Sequence, residues 1–132
     1  MGIRVVDYSG EVLIIAAPLA NNINHQQSAF GGSLFSLAAL AGWGLMQLKL
    51  TELDMDGNTV IAGGGVTYSR PVFEELVCRC AVPPEWPTFE EKLRTRGKGS
   101  IGMASTFHLA DDPDGEPAMA FEGNYVVRLR ES

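Results

Sequence analysis

The sequence predicts an α+β protein in which an antiparallel sheet of about five strands wraps around one long central helix, in the element order βαββββ. One observation is the segment 31–50, which is rich in Ala, Leu and Met and apolar on nearly every face. Such a helix must be surrounded by other structure. The other observation is that almost every later segment has the pattern of a strand, so a sheet is the available partner. The length of 132 residues predicts one domain, 1–132.

The first part of the chain supplies one strand and the helix. Residues 11–17 (EVLIIAA) are apolar and rich in β-branched side chains, which predicts a strand. A polar loop then leads to the helix 31–50, whose leucines recur near helical spacing. The stretch 27–48 carries no charge and approaches the length of a membrane span. Its serines and glycines, and the adjoining Lys49, favour a buried helix of a soluble protein, and we expect no membrane contact.

The middle of the chain predicts two further strands. Residues 54–58 (DMDGN) form a turn, and the strand 59–68 that follows ends near Pro71. The segment 76–82 (LVCRCAV) alternates in polarity, as a strand with two different faces does. Three prolines then break the chain before a helical turn at 88–95.

The last two strands, 100–110 and 118–130, are joined by DDPDGEP, a strong turn signal that predicts a hairpin. A sheet of this size has long edges that one helix cannot cover. Pairing of edges between two copies of the chain would remove them. We therefore expect a homodimer, or a tetramer built from two such dimers.

Charge and cysteine content limit the function and the compartment. Ten Lys and Arg against sixteen Asp and Glu give a net charge of -6, which disfavours nucleic acid as a partner. Cys78 and Cys80 share one face of their strand, with Arg79 on the other. Two cysteines build no disulfide framework, and no further Cys or His completes a metal site. We expect reduced thiols, a cytoplasmic protein without a signal peptide, no metal and no bound cofactor.

The motifs around the helix carry a resemblance to a known family. The sequence NNINHQQSAFGGSLFSLAALAGWG, followed by VTYSRPV, resembles the thioesterase domain of the YiiD C-terminal type. More distantly, it resembles the PaaI-like branch of hotdog acyl-CoA thioesterases, in which a sheet wraps around a central helix. The resemblance covers about residues 12–130. It implies hydrolysis of an acyl thioester carried on coenzyme A or on an acyl carrier protein, with coenzyme A as part of the substrate.

Gly31 and Gly32 stand where the predicted helix begins. The first N–H groups of a helix have no partner within it, and the helix dipole adds partial positive charge there. Glycine also lets a ligand approach the backbone. These N–H groups would polarise a thioester carbonyl and stabilise the oxyanion of a tetrahedral intermediate. In the resembled enzymes the first glycine has this role, which points to Gly31. The alternative is a pair needed only for close helix packing.

The loop before the glycines offers Asn24 and His25. The resemblance implies that Asn24 holds the attacking water or the carbonyl, and the alternative is a loop asparagine that bonds its own backbone. His25 is a candidate base because histidine titrates near neutral pH, although a loop histidine also serves as a simple hydrogen-bonding residue. Phe30, Ser33 and Tyr68 flank the same motifs, and we expect them to contact the substrate.

Three departures from the PaaI-like pattern concern the general base. Ala39 stands where those enzymes have an acidic residue, and Phe30 stands where they have a histidine. The glycines 63–65 replace polar side chains expected on the next strand, and they weaken that strand unless something passes close to it. Two alternatives therefore stay open: acyl-CoA or lipid binding without hydrolysis and, with a poorer fit, hydration of an enoyl thioester. His108, in the last hairpin, is expected to be structural.

Basic charge is concentrated in one short segment. Lys92, Arg94, Arg96 and Lys98 are four of the ten Lys and Arg. Hotdog thioesterases commonly hold the phosphates of coenzyme A with basic side chains. The resemblance therefore implies that Arg94, Arg96 and Lys98 bind the anionic end of the carrier. An acidic acyl carrier protein would be attracted to the same segment. The alternative is a solvated loop.

Overall fold

The computed structural model describes residues 3–17, 31–68, 76–108, 117 and 119–130. Within them, two helices and six strands follow the order ββαββαββ. Their bounds are β1 Arg4–Tyr8, β2 Val12–Ala17, α1 Gly31–Glu52, β3 Gly57–Tyr68, β4 Leu76–Ala81, α2 Trp86–Arg96, β5 Lys98–Phe107 and β6 Met119–Leu129.

The six strands form one antiparallel sheet in the order β1-β2-β4-β5-β6-β3, and α1 packs across one face of it. The predicted α+β class and the long central helix are confirmed, and α1 begins at the predicted residue. The expectation of about five strands and a single helix is wrong in detail, because the sequence reasoning missed β1 and predicted α2 only as a helical turn.

Both of these elements carry a weak or misleading sequence signal. Residues 4–7 of β1 are exposed, and a bulge between Val5 and Asp7 interrupts the alternation that would mark a strand. In α2, the prolines introduce the helix instead of breaking the chain. Pro87 lies in its first turn, where a missing N–H group costs nothing. The predicted helical turn at 88–95 is therefore part of an eleven-residue helix.

The core lies between α1 and the sheet, and α1 contacts every strand from β2 to β6. The opposite side of α1 remains open to solvent, since Leu40 and Trp43 are 39% and 43% exposed. Neither described helix is long and apolar enough to cross a membrane. The fully buried side chains on α1 include Leu37, Ala38, Ala41, Leu45 and Met46.

The predicted alternation of β4 is confirmed. Cys78 and Cys80 are buried and point toward α1, whereas Arg79 is exposed on the other face. Burial raises the pKa of both thiols, so they stay protonated at neutral pH. The predicted hairpin is also confirmed, since β5 and β6 pair from Lys98 opposite Arg128 to Phe107 opposite Met119.

A polar network ties β1, α1 and α2 together at the C-terminal end of α1. The Tyr8 hydroxyl donates to the Glu52 carboxylate, and Lys49 Nζ donates to the Gly10 carbonyl at 3.0 Å. Lys49 Nζ also lies 3.4 Å from Glu52 Oε1 and 5.9 Å from the centre of the Trp86 ring. Burial and the bond to Glu52 raise the pKa of Tyr8 to about 12. The same bond lowers the pKa of Glu52.

Candidate functional site

The N-terminus of α1 is formed by the two glycines that the sequence singled out. Gly31 is the first residue of the helix and Gly32 the second. The N–H groups of this first turn have no acceptor within the helix, and they form its partially positive end. The first turn carries no acidic side chain that would compete for these donors.

The other predicted residues of this site are described only in part. Asn24, His25 and Phe30 lie outside the described residues. Ser33 belongs to the first turn of α1 and Tyr68 ends β3, but their side chains lie outside the description. Their predicted roles therefore stay predictions.

Two contacts determine which end of the sheet holds the α1 N-terminus. Lys49 reaches the Gly10 carbonyl, which lies in the turn before β2. Ser105, near the end of β5, bonds the Ala38 carbonyl at 3.0 Å. The helix therefore starts at the end of the sheet where β2, β3 and β5 finish. This end includes Tyr68, so Gly31 and Tyr68 lie at the same end of the molecule.

The described residues near the start of α1 offer no carboxylate in the core. Ala39 is half-buried and packs against the core, as a small apolar side chain does. Among the described residues, Thr59 and Ser105 are the buried polar ones. His108 Nε2 lies 3.1 Å from Thr106 Oγ1, and the Thr106 side chain faces away from α1. The predicted lack of the usual acidic residue at position 39 thus extends to its described surroundings.

Core packing explains why one of the three consecutive glycines of β3 has no side chain. A Cβ on Gly64 would lie 2.7 Å from the Glu122 carbonyl oxygen and 3.1 Å from the Phe121 ring. Gly63 and Gly65 have open space at the same position. Gly64 therefore admits the ring of Phe121 beneath β3, and what passes close to this strand is a core side chain.

The basic segment, defined as Lys92, Arg94, Arg96 and Lys98, lies at the opposite end of the protomer from Gly31. It occupies the last turns of α2 and the first residue of β5. Backbone bonds join Leu129 to Gly97 and Arg130 to Asp56, and Asp56 closely follows α1. A 22-residue helix is about 33 Å long. Within one chain, the structure therefore does not bring the basic segment together with the glycine pair.

The side chains of the basic segment differ in their contacts. All four are exposed. Arg94 Nε lies 3.2 Å from Glu90 Oε2, one helical turn earlier, so the charge of this arginine is partly neutralised. Within the described part of the chain, no acidic side chain pairs with Arg96 or Lys98. The segment is not a loop, as the alternative to carrier binding had it, because Arg94 and Arg96 end a helix whose C-terminus favours positive charge.

A groove of about 800 Å³ lies on the sheet face away from α1. Its floor consists of small residues such as Gly63, Gly102 and Ala104, and Glu122 and Asn124 project from it. The groove is separated by the sheet from the face on which α1 packs.

Sequence reasoning missed two buried hydroxyl groups that contact α1. Ser105 Oγ donates to the Ala38 carbonyl, and Tyr125 Oη donates to the Ala39 carbonyl at 2.9 Å. Their positions in the alternating pattern could have pointed to them. Both residues lie on the buried face of their strand, where the neighbouring side chains are apolar. Burial raises the pKa of Tyr125, so its hydroxyl keeps the proton that it donates.

Comparison with known proteins supports the predicted resemblance. The sequence profile of the family described as "Putative thioesterase (yiiD_Cterm)" matches residues 1–129. A protein of unknown function from Chlorobaculum tepidum has a similar structure, with a TM-score of 0.92 and 32% identity over 98% of this chain and 84% of that one.

Two further solved structures have a similar fold. A "putative thioesterase" from Shewanella oneidensis has a TM-score of 0.83 at 28% identity, over 96% of this chain and 83% of that one. The phenylacetic acid degradation protein PaaI from Thermus thermophilus has a TM-score of 0.61 at 19% identity, over 97% and 94%. The second likeness concerns the fold alone, and it agrees with the predicted hotdog architecture.

Proposed function

The chain belongs to the YiiD C-terminal thioesterase family, and from this premise we propose that it hydrolyses acyl thioesters of coenzyme A or of an acyl carrier protein. The observation that supports this proposal most directly is the start of α1 at Gly31 and Gly32. Unpartnered N–H groups at a helix N-terminus favour an oxygen that gains negative charge. The thioester carbonyl is proposed to lie on these groups.

In the proposed reaction, a water molecule held by Asn24 attacks the carbonyl carbon of the thioester. His25, or a side chain of a second protomer, takes the proton of that water. The oxyanion that forms is stabilised by the Gly31 and Gly32 N–H groups. When it collapses, the carbon–sulfur bond breaks and the protonated base gives its proton to the departing thiolate. The carboxylic acid that remains loses its own proton to solvent and leaves as a carboxylate.

The proposed rate is modest because the described core supplies no carboxylate base. General base catalysis contributes about 10²–10⁴-fold. The half-buried Ala39 also supports the alternative that the protein binds acyl thioesters without hydrolysing them. Incubation with acetyl- to palmitoyl-CoA and aryl-CoA substrates, with thiol release followed in time, tests the proposal. If no substrate is hydrolysed above background while an acyl-CoA still binds in calorimetry, the binding function replaces the enzymatic one.

We expect the active form to be a homodimer paired through β3. This strand is twelve residues long and lies at one end of the sheet order, so one of its sides has no neighbour within the described sheet. Val60 and Ile61 on it are 51% and 41% exposed. The open side of α1 lies next to this strand, since Gln47 donates to Thr59 at 3.0 Å. Long edges with exposed apolar side chains are typical pairing sites.

Sedimentation at micromolar concentration is expected to give a dimer or a tetramer. Val60→Lys places a charge on the proposed edge and is expected to shift the protein toward monomer. Val5→Lys is the matched control on β1, the strand at the other end of the sheet, and it should leave the mass unchanged. A monodisperse monomer for the unmodified protein would contradict the proposal.

An antiparallel pair of β3 strands would also explain why the basic segment lies far from Gly31. The two-fold axis of such a pair sets the start of one β3 beside the end of the other. The C-terminal end of one α1 then lies at the same end of the dimer as the N-terminal end of the other. The proposed site therefore combines the glycine pair of one protomer with Arg96 and Lys98 of its partner, which bind the phosphates of the carrier.

Replacing Arg96 and Lys98 together by Ala is expected to raise KM for acyl-CoA about two- to thirtyfold at low salt, because exposed charge pairs contribute roughly 0.2–1 kcal/mol each. The effect should shrink at high salt, where such attractions are screened. Steady-state kinetics at two ionic strengths measure it. Arg79→Ala, an exposed arginine on β4, is the control. An unaltered KM at low salt would leave the basic segment without a role in carrier binding.

A further inference from the structure

The packing of α1 alone defines its position on the sheet only weakly. The helix is apolar on most sides, and its middle consists of small residues, including Ala38, Ala41, Gly42 and Gly44. Hydrophobic contact is non-directional and roughly proportional to area. Where a helix presents small side chains, it therefore buries a similar area after a small slide or rotation. Directional bonds are needed to select one position.

Side-chain bonds already fix the C-terminal half of α1, and two buried hydroxyl groups supply such bonds to its N-terminal half. Ser105 and Tyr125 are both 0% exposed and stand on the neighbouring strands β5 and β6. They donate to two successive carbonyls of α1, those of Ala38 and Ala39. Those carbonyls lie inside the helix, where each already has an N–H donor four residues later. The helix does not need the hydroxyls to satisfy its backbone, so the bonds add direction.

The surroundings of Tyr125 are shaped to admit its hydroxyl. A Cβ on Gly42 would lie 2.1 Å from the hydroxyl oxygen, and a Cβ on Gly123 would lie 2.9 Å from the ring. A phenylalanine would fill the same space without requiring an acceptor in the core. The cost of burying a hydroxyl is recovered only when it is bonded. The packing is therefore arranged around the hydrogen bond.

We propose that Tyr125 and Ser105 are positioning residues, which set the height and rotation of α1 and thereby the placement of the Gly31 and Gly32 N–H groups. This inference rests on the proposed hydrolysis. From Ala38 to Gly31 the helix runs about 10 Å, and a hydrogen-bonded helix transmits a shift along that distance as a rod. Misplacement by about 1 Å at a reacting centre costs up to 10²-fold in rate.

Tyr125→Phe and Ser105→Ala test the proposal through the separate values of kcat and KM. Each variant is expected to lower kcat about tenfold and the pair about 10²-fold, with KM changed less than twofold, because the N–H groups act mainly on the transition state. Ile101→Val is the matched control: it removes a buried methyl group from β5 and no hydrogen bond. It should lower the melting temperature by a similar few degrees and leave kcat unchanged. Equal kcat losses in all the variants would overturn the proposal.

A second measurement does not depend on hydrolysis. NMR amide and carbonyl shifts of residues 31–39 are compared between the unmodified protein and Tyr125→Phe. Changes that extend from Ala39 to Gly31 support a displaced helix, and changes confined to the neighbours of Ala39 overturn the inference. If the unmodified protein hydrolyses no thioester, the proposed function fails, while these shifts still decide whether the hydroxyls position α1.

Discussion

Replacement of Gly31 by proline is expected to lower kcat about 10²–10³-fold while the fold stays intact. Proline lacks the backbone N–H group, so the variant removes the proposed oxyanion donor and little else. Loss of one such donor typically costs that factor. Gly31 is the first residue of α1, and the first helical position is where proline is best tolerated, because its fixed φ suits the helix and the N–H group there has no intrahelical acceptor.

Gly31→Ala is the matched control for this experiment, since alanine keeps the N–H group and adds only a Cβ. If the donor is the functional feature, Gly31→Ala retains most of its kcat and its main effect is on KM, through the closer side chain. Circular dichroism and thermal melting verify that both variants keep the fold. Similar kcat values for Gly31→Pro and the unmodified protein would show that this N–H group does not bind the oxyanion.

The elements that could be predicted from the sequence are those whose composition agrees with their environment. The apolar segment that became α1 has no alternative to burial, and the turn signal between β5 and β6 forces a hairpin. β1 escaped prediction because a bulge and exposure remove its alternation. α2 was predicted only as a helical turn, because proline favours the start of a helix but breaks its middle, and the sequence reasoning assumed the second case.

The residues of the candidate site also differ in how far the sequence could predict their positions. The position of Gly31 and Gly32 at a helix start could be predicted because it depends on local features, a polar loop followed by an apolar helical segment. The position of the basic segment could not, because its distance from Gly31 depends on how α1 and α2 are oriented on the sheet. Ser105 and Tyr125 occupy inward strand positions, where the alternation pattern predicts core residues and says nothing about the partner of a hydroxyl group.

Gly42→Ala is expected to destabilise the protein by about 2–4 kcal/mol, although alanine is the better helix former. The gain in helix propensity is about 1 kcal/mol. Against it, the new Cβ would lie 2.1 Å from Oη and 2.4 Å from Cζ of the fully buried Tyr125. Overpacking of a core costs about 1–3 kcal/mol. The displaced hydroxyl also loses the Ala39 carbonyl, which costs about 1–3 kcal/mol for a buried unsatisfied group.

Gly44→Ala, two residues further along α1, is the matched control. Its Cβ would lie 3.2 Å from the Leu13 Cδ2 atom, the movable end of a side chain, so this variant should be neutral or slightly stabilised. Urea unfolding at one fixed protein concentration measures both variants, because the stability of an oligomer depends on concentration. Adding Tyr125→Leu, which removes the hydroxyl and the ring atoms nearest the new methyl group, should make the Gly42→Ala change less costly than it is beside tyrosine. Equal losses for the two glycine variants, or a strictly additive double variant, would mean that Gly42 is not present to admit Tyr125.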